Sequence, residues 1–540
     1  MITDELVYRI GQTLGHVPTA EQQQAMNVVA QFMFDRSPRA VMILRGSAGT
    51  GKTTLAAAVV RALLQLKQKL VLMAPTGRAA KVFSLYAGQP AHTIHRRIYR
   101  QRMTTDLSAF TLSPNLSHDT LFMVDEASMV SLSSPLADGN IFGSGSLLDD
   151  LVSYVYQGEG CRLMLIGDHA QLPPVGEDAS PALMGSVLSG YGLKVYECEL
   201  NEVLRQSRQS GILWNATRIR ESMAAMTNGD GSLTGMSTIG DGIGTMVLPK
   251  IRFRGFADIV VVPGDELIEQ LATSYSRVGI DETIVVTRSN KRANIYNQGI
   301  RRTVLDREDE LSRGDQLMIV KNNYNTPLCP PDGGKVLARS SAVLSFNEGE
   351  REISDELRAS NPPLSEPAEL RASSLPPSGG PKGVFNGDRC VVQRVRHVRE
   401  LYGFRFADVT VTMPDYDDCE LTATAILDAL MSEAPALTRE QQDQLYHKVL
   451  EDYADLPYKA DRLKALKTDI YYNALQVKYG YAVTCHKAQG GQWAHVYIDQ
   501  GYMTDDMLNP DYLHWLYTAL TRATEKVFMV NWPPSQTDKD

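Results

Sequence analysis

Cysteine is scarce in this chain of 540 residues: six, at Cys161, Cys198, Cys329, Cys390, Cys419 and Cys485, with no C-x-x-C pair. That scatter argues against a disulfide framework, a zinc site or an iron–sulfur cluster, and leaves the thiols as reduced, structural side chains. Long apolar runs are missing too, none approaching the roughly 18 residues of a membrane span. The opening residues 1–6 lack the basic and apolar regions of a signal peptide. A cytoplasmic protein without membrane contact is expected. Nor is there an excess of positive charge, since 54 Lys and Arg stand against 63 Asp and Glu, for a net −9. That balance does not exclude nucleic acid, because a binding groove needs local positive charge and not a global surplus. No internal repeat of fixed period is evident.

What is present is an alternation of short apolar runs with helical stretches. Runs at 40–44, 70–74, 121–125, 162–167 and 195–200 read as buried strands, and their alternation with helices indicates a parallel sheet covered on both faces. A second alternation starts at 283–287, passes through an Asn-rich helical stretch to Arg302, and resumes at 493–499 and 526–531. The expected fold class is α/β with two parallel-sheet domains, the second interrupted; a chain of this length is too long for one core. The interruption has two parts. Residues 325–384 are rich in Pro and Ser and lack the apolar density to offset the entropy of ordering, so a flexible insertion is expected. Residues 385–470 carry strand-like runs at 390–395 and 404–413, consistent with a small β module, followed by a helical segment of mixed charge at 438–466.

The strongest chemical signal is Gly46, Ser47, Ala48, Gly49, Thr50, Gly51, Lys52 and Thr53, with Thr54 behind them. They fit G-x-x-x-x-G-K-[ST] between a predicted strand and a helix through Leu55, Val59, Leu63 and Leu66, the context that a phosphate-cradling loop requires. Its glycines let backbone N–H groups turn onto phosphate oxygens. Lys52 is placed to reach the β and γ phosphates, and the Thr53 hydroxyl to hold Mg²⁺. ATP and Mg²⁺ are the expected cofactors. The strand at 121–125 ends in Asp125 and Glu126, where Asp125 can hold the Mg²⁺ water shell and Glu126 can orient or deprotonate the attacking water. The strand at 162–167 ends near Asp168 and Gln171, whose amide is placed to sense the γ phosphate. Strand tips in such sheets face one crevice, which favours a shared site over separate solvated turns. Two basic stretches with aromatics, 95–102 and 389–405, each read most simply as a solvated charged face when taken alone.

Further motifs follow in order. Residues 18–22, ending in Gln22, resemble an adenine-recognising glutamine motif. Residues 74–81, with Thr76 and Arg78, and 91–95, ending in His95, resemble strand-gripping motifs. Residues 200–206, with Arg205, resemble an arginine motif, and 481–492 and 516–523 resemble the last two motifs of the same set. The ordered set covers nearly the whole chain and is similar to the superfamily 1 helicases, specifically their RecD-like and Dda-like branch.

This resemblance implies two RecA-like P-loop domains, at 1–200 and at 201–324 completed by 471–540, with an SH3-like module in 385–470 and a short strand-separating insertion near 96–120. It implies a split ATP site in which Arg522 reaches the nucleotide from across the interdomain cleft, with Arg205, also assigned to catalysis, near the junction. Gln492 stands where the family often has glutamate, so a contact to the ribose would come from a neutral amide. Strand contacts are expected at Thr76, Arg78 and His95 in the first domain and at Thr484, His486 and Lys487 in the second. The implied activity is ATP-dependent translocation on single-stranded DNA, 5′ to 3′, with unwinding at junctions between single and double strands. The expected protein is a monomer that meets protein partners through the 325–384 insertion. Two alternatives stay open: an RNA helicase or ribonucleoprotein remodeller with the same motifs, and an ATP-switched nucleic-acid-binding subunit without motor output.

Overall fold

The computed structural model describes residues 2–101, 109–133, 141–203, 209–227, 249–323, 383–416, 418–504 and 507–538. The expected flexible insertion lies outside the described residues, apart from its last two, and so does Arg205.

The first lobe holds β1 (Ala40–Gly46), β2 (Lys69–Ala74), β3 (Ala91–Thr93), β4 (Tyr99–Gln101), β5 (Ala109–Leu112), β6 (Thr120–Val124), β7 (Ile141–Phe142), β8 (Arg162–Gly167) and β9 (Lys194–Leu200). Six of these form one sheet in the order β3-β2-β6-β8-β1-β9, with every pairing parallel. Alternate side chains of the same strand feed two cores, as the period of two dictates. Met42 and Leu44 pack with Val59 and Leu63 of the helix Lys52–Gln65 on one face. Val41 and Ile43 pack with Leu148 and Leu151 of the helix Leu147–Gln157 on the other. Continuous apolar runs are needed because both faces are covered. The remaining strands make a small sheet, β4-β5-β7; β4 and β5 lie in the 96–120 region expected to hold a strand-separating element, whose residues 102–108 lie outside the described ones, whereas β7 comes from beyond that region.

The second lobe opens with β10 (Ile259–Val262) and β11 (Thr283–Thr287). The chain then leaves to build a closed five-stranded barrel from β12 (Gln316–Ile319), β13 (Arg389–Leu401), β14 (Phe404–Met413), β15 (Cys419–Ile426) and β16 (Leu475–Tyr479). It returns as β17 (Ala482–Thr484), β18 (Trp493–Asp499) and β19 (Ala523–Val530), which complete a parallel sheet in the order β10-β19-β18-β11-β17.

The barrel extends in sequence beyond the 385–470 segment expected for the β module. Its first strand lies in the stretch assigned to the second lobe, and its last in the stretch assigned to that lobe's completion. Closure is the reason: β12 pairs antiparallel with both β13 and β16, so the sheet has no free edge. The helical stretch expected at 438–466 is two helices, Arg439–Glu451 and Lys459–Thr468, interrupted ahead of Pro457, which disfavours helical backbone at the residue before it.

Both chain crossings between the second lobe and the barrel meet at Asp315. Its carboxylate is fully buried and accepts from Arg301 Nη2 at 2.9 Å, Arg307 Nη1 at 2.8 Å, Tyr481 Oη at 2.8 Å and the Ser312 N–H at 2.7 Å. Among the described residues, no helix is long and apolar enough to cross a membrane.

Candidate nucleotide site and strand-facing cleft

The phosphate loop runs from the end of β1 into the helix Lys52–Gln65. Gly49 and Gly51 both have φ of 78°, a left-handed backbone that favours glycine and turns successive N–H groups to one side. Thr50 ties the loop together by donating from Oγ1 to the Ser47 carbonyl at 2.8 Å. Gln22 is fully buried beneath it. Its Nε2 donates to the Thr50 carbonyl at 3.1 Å and its Oε1 accepts from the Thr19 N–H at 3.2 Å in a capping box. The amide expected to read adenine is therefore engaged at both ends, bracing the loop with one and capping its own helix with the other. Lys52 and Thr53 are half-buried in the first turn of the helix, and Thr54 is exposed behind them.

Asp125 and Glu126 follow the tip of β6, as expected. Burial, and next the Glu126 carboxylate, push Asp125 up to about 6, with Lys52 opposing. Glu126 has φ of 52°, a left-handed conformation uncommon for a residue with a side chain, and the backbone strain sits at the expected reacting position. Two carboxylates within electrostatic reach of each other and of Lys52 fit a Mg²⁺ ion, which is held by one or two carboxylates together with phosphate oxygens and water. Among the described residues no group of three or more His, Cys, Asp or Glu could hold a metal. Thr53 and Asp125, the pair expected from the sequence, are the side chains that would hold such an ion.

Gln171 joins the two lobes. With its amide oriented to satisfy both neighbours, it donates to Glu126 Oε2 at 3.2 Å and accepts from Arg522 Nη2 at 3.2 Å. Arg522 follows the helix Pro510–Leu520 of the second lobe, is 3% exposed, and is aimed by its bonds to the carbonyls of Thr518 at 3.0 Å and Gly491 at 3.2 Å.

Four residues at this junction were not anticipated. Tyr517 Oη donates to Asp168 Oδ2 at 2.5 Å and accepts from the Ala48 N–H of the phosphate loop at 3.0 Å. Thr518 Oγ1 accepts from the Leu172 N–H at 2.7 Å, His514 Nδ1 bonds the Ala170 carbonyl at 3.0 Å, and Gln489 Nε2 donates to the Leu172 carbonyl at 2.6 Å. For three of them the signal was the period of the helix: Tyr517 and Thr518 lie three and four residues after His514, on one face. From the helix Gly211–Thr227, which packs on the second lobe, Arg220 reaches back to Ser47 Oγ.

The expected strand contacts divide. Thr76, which caps the helix Gly77–Ala87, and His95 line a cleft of about 260 Å³ together with Pro75, Tyr99, and Phe385 and Asn386 of the barrel. Burial holds His95 down to about 4, so its ring is neutral near pH 7. In the second lobe, Thr484 and Lys487 line a smaller pocket with Asn290, Asn294 and Lys478. Burial, with the Lys478 ammonium nearby, brings Lys487 down to about 8, and His486 is exposed.

Arg78 does not line the first cleft. Its guanidinium lies 4.3 Å from the centroid of Trp493 in the second lobe and donates to the Gln492 carbonyl. The side chain expected on the strand is engaged across the lobe seam, and Gln492 meets Arg78 through its backbone. Of the basic stretch 389–405, Arg389 is paired with Asp415, Arg399 with Asp408, and Arg405 with Glu310 and Asp428; Arg394 and Arg396 are exposed.

Comparisons with known proteins agree with this layout. Residues 18–237 match the family model of an AAA domain, and residues 479–530 match that of the UvrD-like helicase C-terminal domain. The chain is similar to the ATP-dependent DNA helicase Dda of Enterobacteria phage T4, 24% identical over 341 residues that cover 62% of this chain and 66% of that protein. It is also similar to the ATP-dependent RecD2 DNA helicase of Deinococcus radiodurans, 27% identical over 309 residues covering 57% and 37%. The matches thus span less than two thirds of the length of either relative. An uncharacterised protein of Acanthamoeba polyphaga mimivirus is 21% identical over 560 residues, 94% of this chain and 99% of that one. Among solved structures, the Pif1 helicase from Bacteroides in complex with ADP-AlF3 and ssDNA aligns over 97% of this chain and 95% of that one, with 14% identity and a TM-score of 0.42. With an AAA-type first lobe, a UvrD-like second lobe and two named relatives of one branch, the chain belongs to the superfamily 1 helicases, in their RecD- and Dda-like branch.

Proposed function

We propose that the protein is an ATP-dependent DNA helicase that moves 5′ to 3′ along a single strand and separates duplex at the junction it meets. One observation carries the reading: Gln171 bridges Glu126 of the first lobe and Arg522 of the second, so the water-activating carboxylate and the charge-stabilising arginine meet only where the lobes meet. Lys52 would grip the β and γ phosphates, Asp125 and Thr53 would hold a Mg²⁺ ion that neutralises charge on them, and Glu126 would orient or deprotonate the attacking water. Arg522 stabilises the charge that develops on the phosphoryl oxygens. An arginine of this kind is worth roughly 10³ to 10⁵ in rate. Cleavage and release of the γ phosphate would remove the group that Arg522 shares with the first lobe, and the cleft would then be free to open.

For the strand, support comes from the two polar pockets, one per lobe. Thr76 and His95 line the first; Thr484 and Lys487, with exposed His486 beside them, form the second. A strand held by both would be advanced each time their separation changed. Contacts of hydroxyl, amide and ammonium groups to the sugar–phosphate backbone carry no sequence information, as a translocating enzyme requires. Phe385 and Asn386 of the barrel would close the first pocket over the strand. The Dda and RecD2 relatives, both DNA helicases by name, support DNA as the track.

The test is unwinding of matched duplexes that carry either a 5′ or a 3′ single-stranded overhang, in DNA and RNA versions. ATP-dependent separation of the DNA duplex with the 5′ overhang is expected. Separation only from the 3′ overhang would overturn the direction, and preference for RNA would overturn the substrate.

A further inference from the structure

We infer that Arg78 is a coupling strut between the lobes: held on Trp493, it makes the strand-facing helix of the first lobe move with the 491–493 segment that braces Arg522. This rests on the two-lobe ATPase reading above. Residues 491–493 are joined to Arg522 in both directions, because Arg522 Nη1 donates to the Gly491 carbonyl at 3.2 Å and the Trp493 N–H donates to the Arg522 carbonyl at 3.0 Å. On its other side the same short loop meets Arg78, through the Trp493 ring at 4.3 Å and the Gln492 carbonyl. The ATP-site arginine and Arg78 therefore share one three-residue support.

Arg78 is also rigidly joined to the strand cleft. It is the second residue of the helix Gly77–Ala87, whose N-cap, Thr76, accepts from the Ala79 N–H at 3.2 Å and lines the cleft with His95. The approach of the two segments is tight enough to demand glycine. A Cβ on Gly490 would stand 2.9 Å from Ala79 Cβ and 3.1 Å from Thr76 Oγ1, and Gly490 has φ of 71°. A Cβ on Gly491 would overlap the Trp493 ring and stand 3.1 Å from Arg78 Cδ. A guanidinium over an indole tolerates sliding better than a directional hydrogen bond does, since the ring face attracts the cation without fixing one approach. Such a joint keeps contact while the lobes shift.

Arg78 is a positioning residue on this account, and the readout is the ratio of ATP hydrolysis with and without an oligo(dT) single strand, measured on the full chain. Arg78→Ala is expected to lower that ratio about tenfold, within the range typical of coupling between two sites. Its affinity for oligo(dT) should stay within about threefold of wild type, because loss of a single phosphate contact is what would weaken binding and flatten its salt dependence. Arg78→Lys and Trp493→Phe, which keep a cation and a ring, should each retain most of the ratio. Arg78→Ala combined with Trp493→Leu should be no worse than the poorer single variant, as expected for two groups acting through one contact.

Weakened oligo(dT) binding by Arg78→Ala with an unchanged ratio at saturating strand would make Arg78 a strand contact and overturn the inference. Additive losses in the double variant would overturn it as well. A wild-type chain whose hydrolysis ignores the strand would instead sink the two-lobe reading itself.

Discussion

The second lobe is attached to its barrel and to the first lobe by contacts of different chemistry. At the barrel root, Asp315 is fully buried and holds two arginines, a tyrosine hydroxyl and a backbone N–H at once. Removing one partner from such a group strands a buried charge, at a cost of about 3 to 5 kcal/mol. At the cleft between the lobes the contacts are dispersed: Tyr517 to Asp168 and Ala48, Thr518 to Leu172, Arg522 through Gln171 to Glu126, Arg78 on Trp493. Several of their partners are the groups expected to hold nucleotide. Relative motion is therefore expected at the nucleotide cleft and not at the barrel root.

The largest effect that would break this contrast belongs to Arg522. Arg522→Ala should reduce the rate of ATP hydrolysis roughly 10³-fold or more, within the span known for such fingers, while a fluorescent nucleotide still binds. A turnover within a few-fold of wild type would mean that the second lobe does not complete the site. Next comes the root: Asp315→Ala should destabilise the chain by about 3 to 5 kcal/mol in denaturant unfolding followed by tryptophan fluorescence. A loss below about 1 kcal/mol, the scale of an exposed ion pair, would make the root no firmer than the cleft.

Tyr517→Phe sharpens the comparison from the cleft side. It removes the hydroxyl that bridges Ala48 and Asp168 and leaves a buried carboxylate short of a donor, at a cost of about 1 to 3 kcal/mol. Nucleotide affinity and turnover should both change, whereas unfolding of the barrel should not; a shift confined to global stability would place Tyr517 with the packing residues.

The smallest effect concerns pH at the seam between the first lobe and the barrel. Burial holds His92 and His95 down to about 4, against an ordinary value of 6.5. The unfolded chain then binds more protons than the folded one between about 6.5 and 4, so stability falls as pH drops through that window. Asp388, pushed up to about 7 chiefly by burial, acts with the opposite sign: its folded form keeps a proton between 3.8 and 7, and stability falls as pH rises there. His95→Gln should reduce the acid-side loss and Asp388→Asn the neutral-side loss, both read from melting temperature against pH. Identical profiles for all three proteins would remove titration from this seam.

How much of this was legible in the chain depended on the range of the interaction. The phosphate loop was read from motif spacing and its strand-to-helix context, both local in sequence, and the left-handed backbone at Gly51 is one the motif itself calls for. Most buried strands were read from apolar runs, and both parallel sheets followed from their alternation with helices; β3, β10 and β17, three or four residues long, are too short to stand out as runs. The pairing of β12 with β16 was not read, since it joins residues 316–319 to 475–479 and no local pattern marks it. Side-chain direction was the other failure. Gln22 and Arg78 sit in recognisable motifs, yet tertiary neighbours, the Thr50 carbonyl for one and the Trp493 ring for the other, decide where their polar ends go. The Tyr517 bridge escaped notice for the same reason, its partners lying over 300 residues away in sequence.

The most direct test of the central claim, that the site between the lobes is worked by a bound strand, is steady-state ATP hydrolysis by the full chain with and without single-stranded DNA at low salt. The account predicts slow turnover alone and a rise of at least about tenfold with the strand, the scale of an ordinary coupling between sites. A rate indifferent to the strand would contradict it.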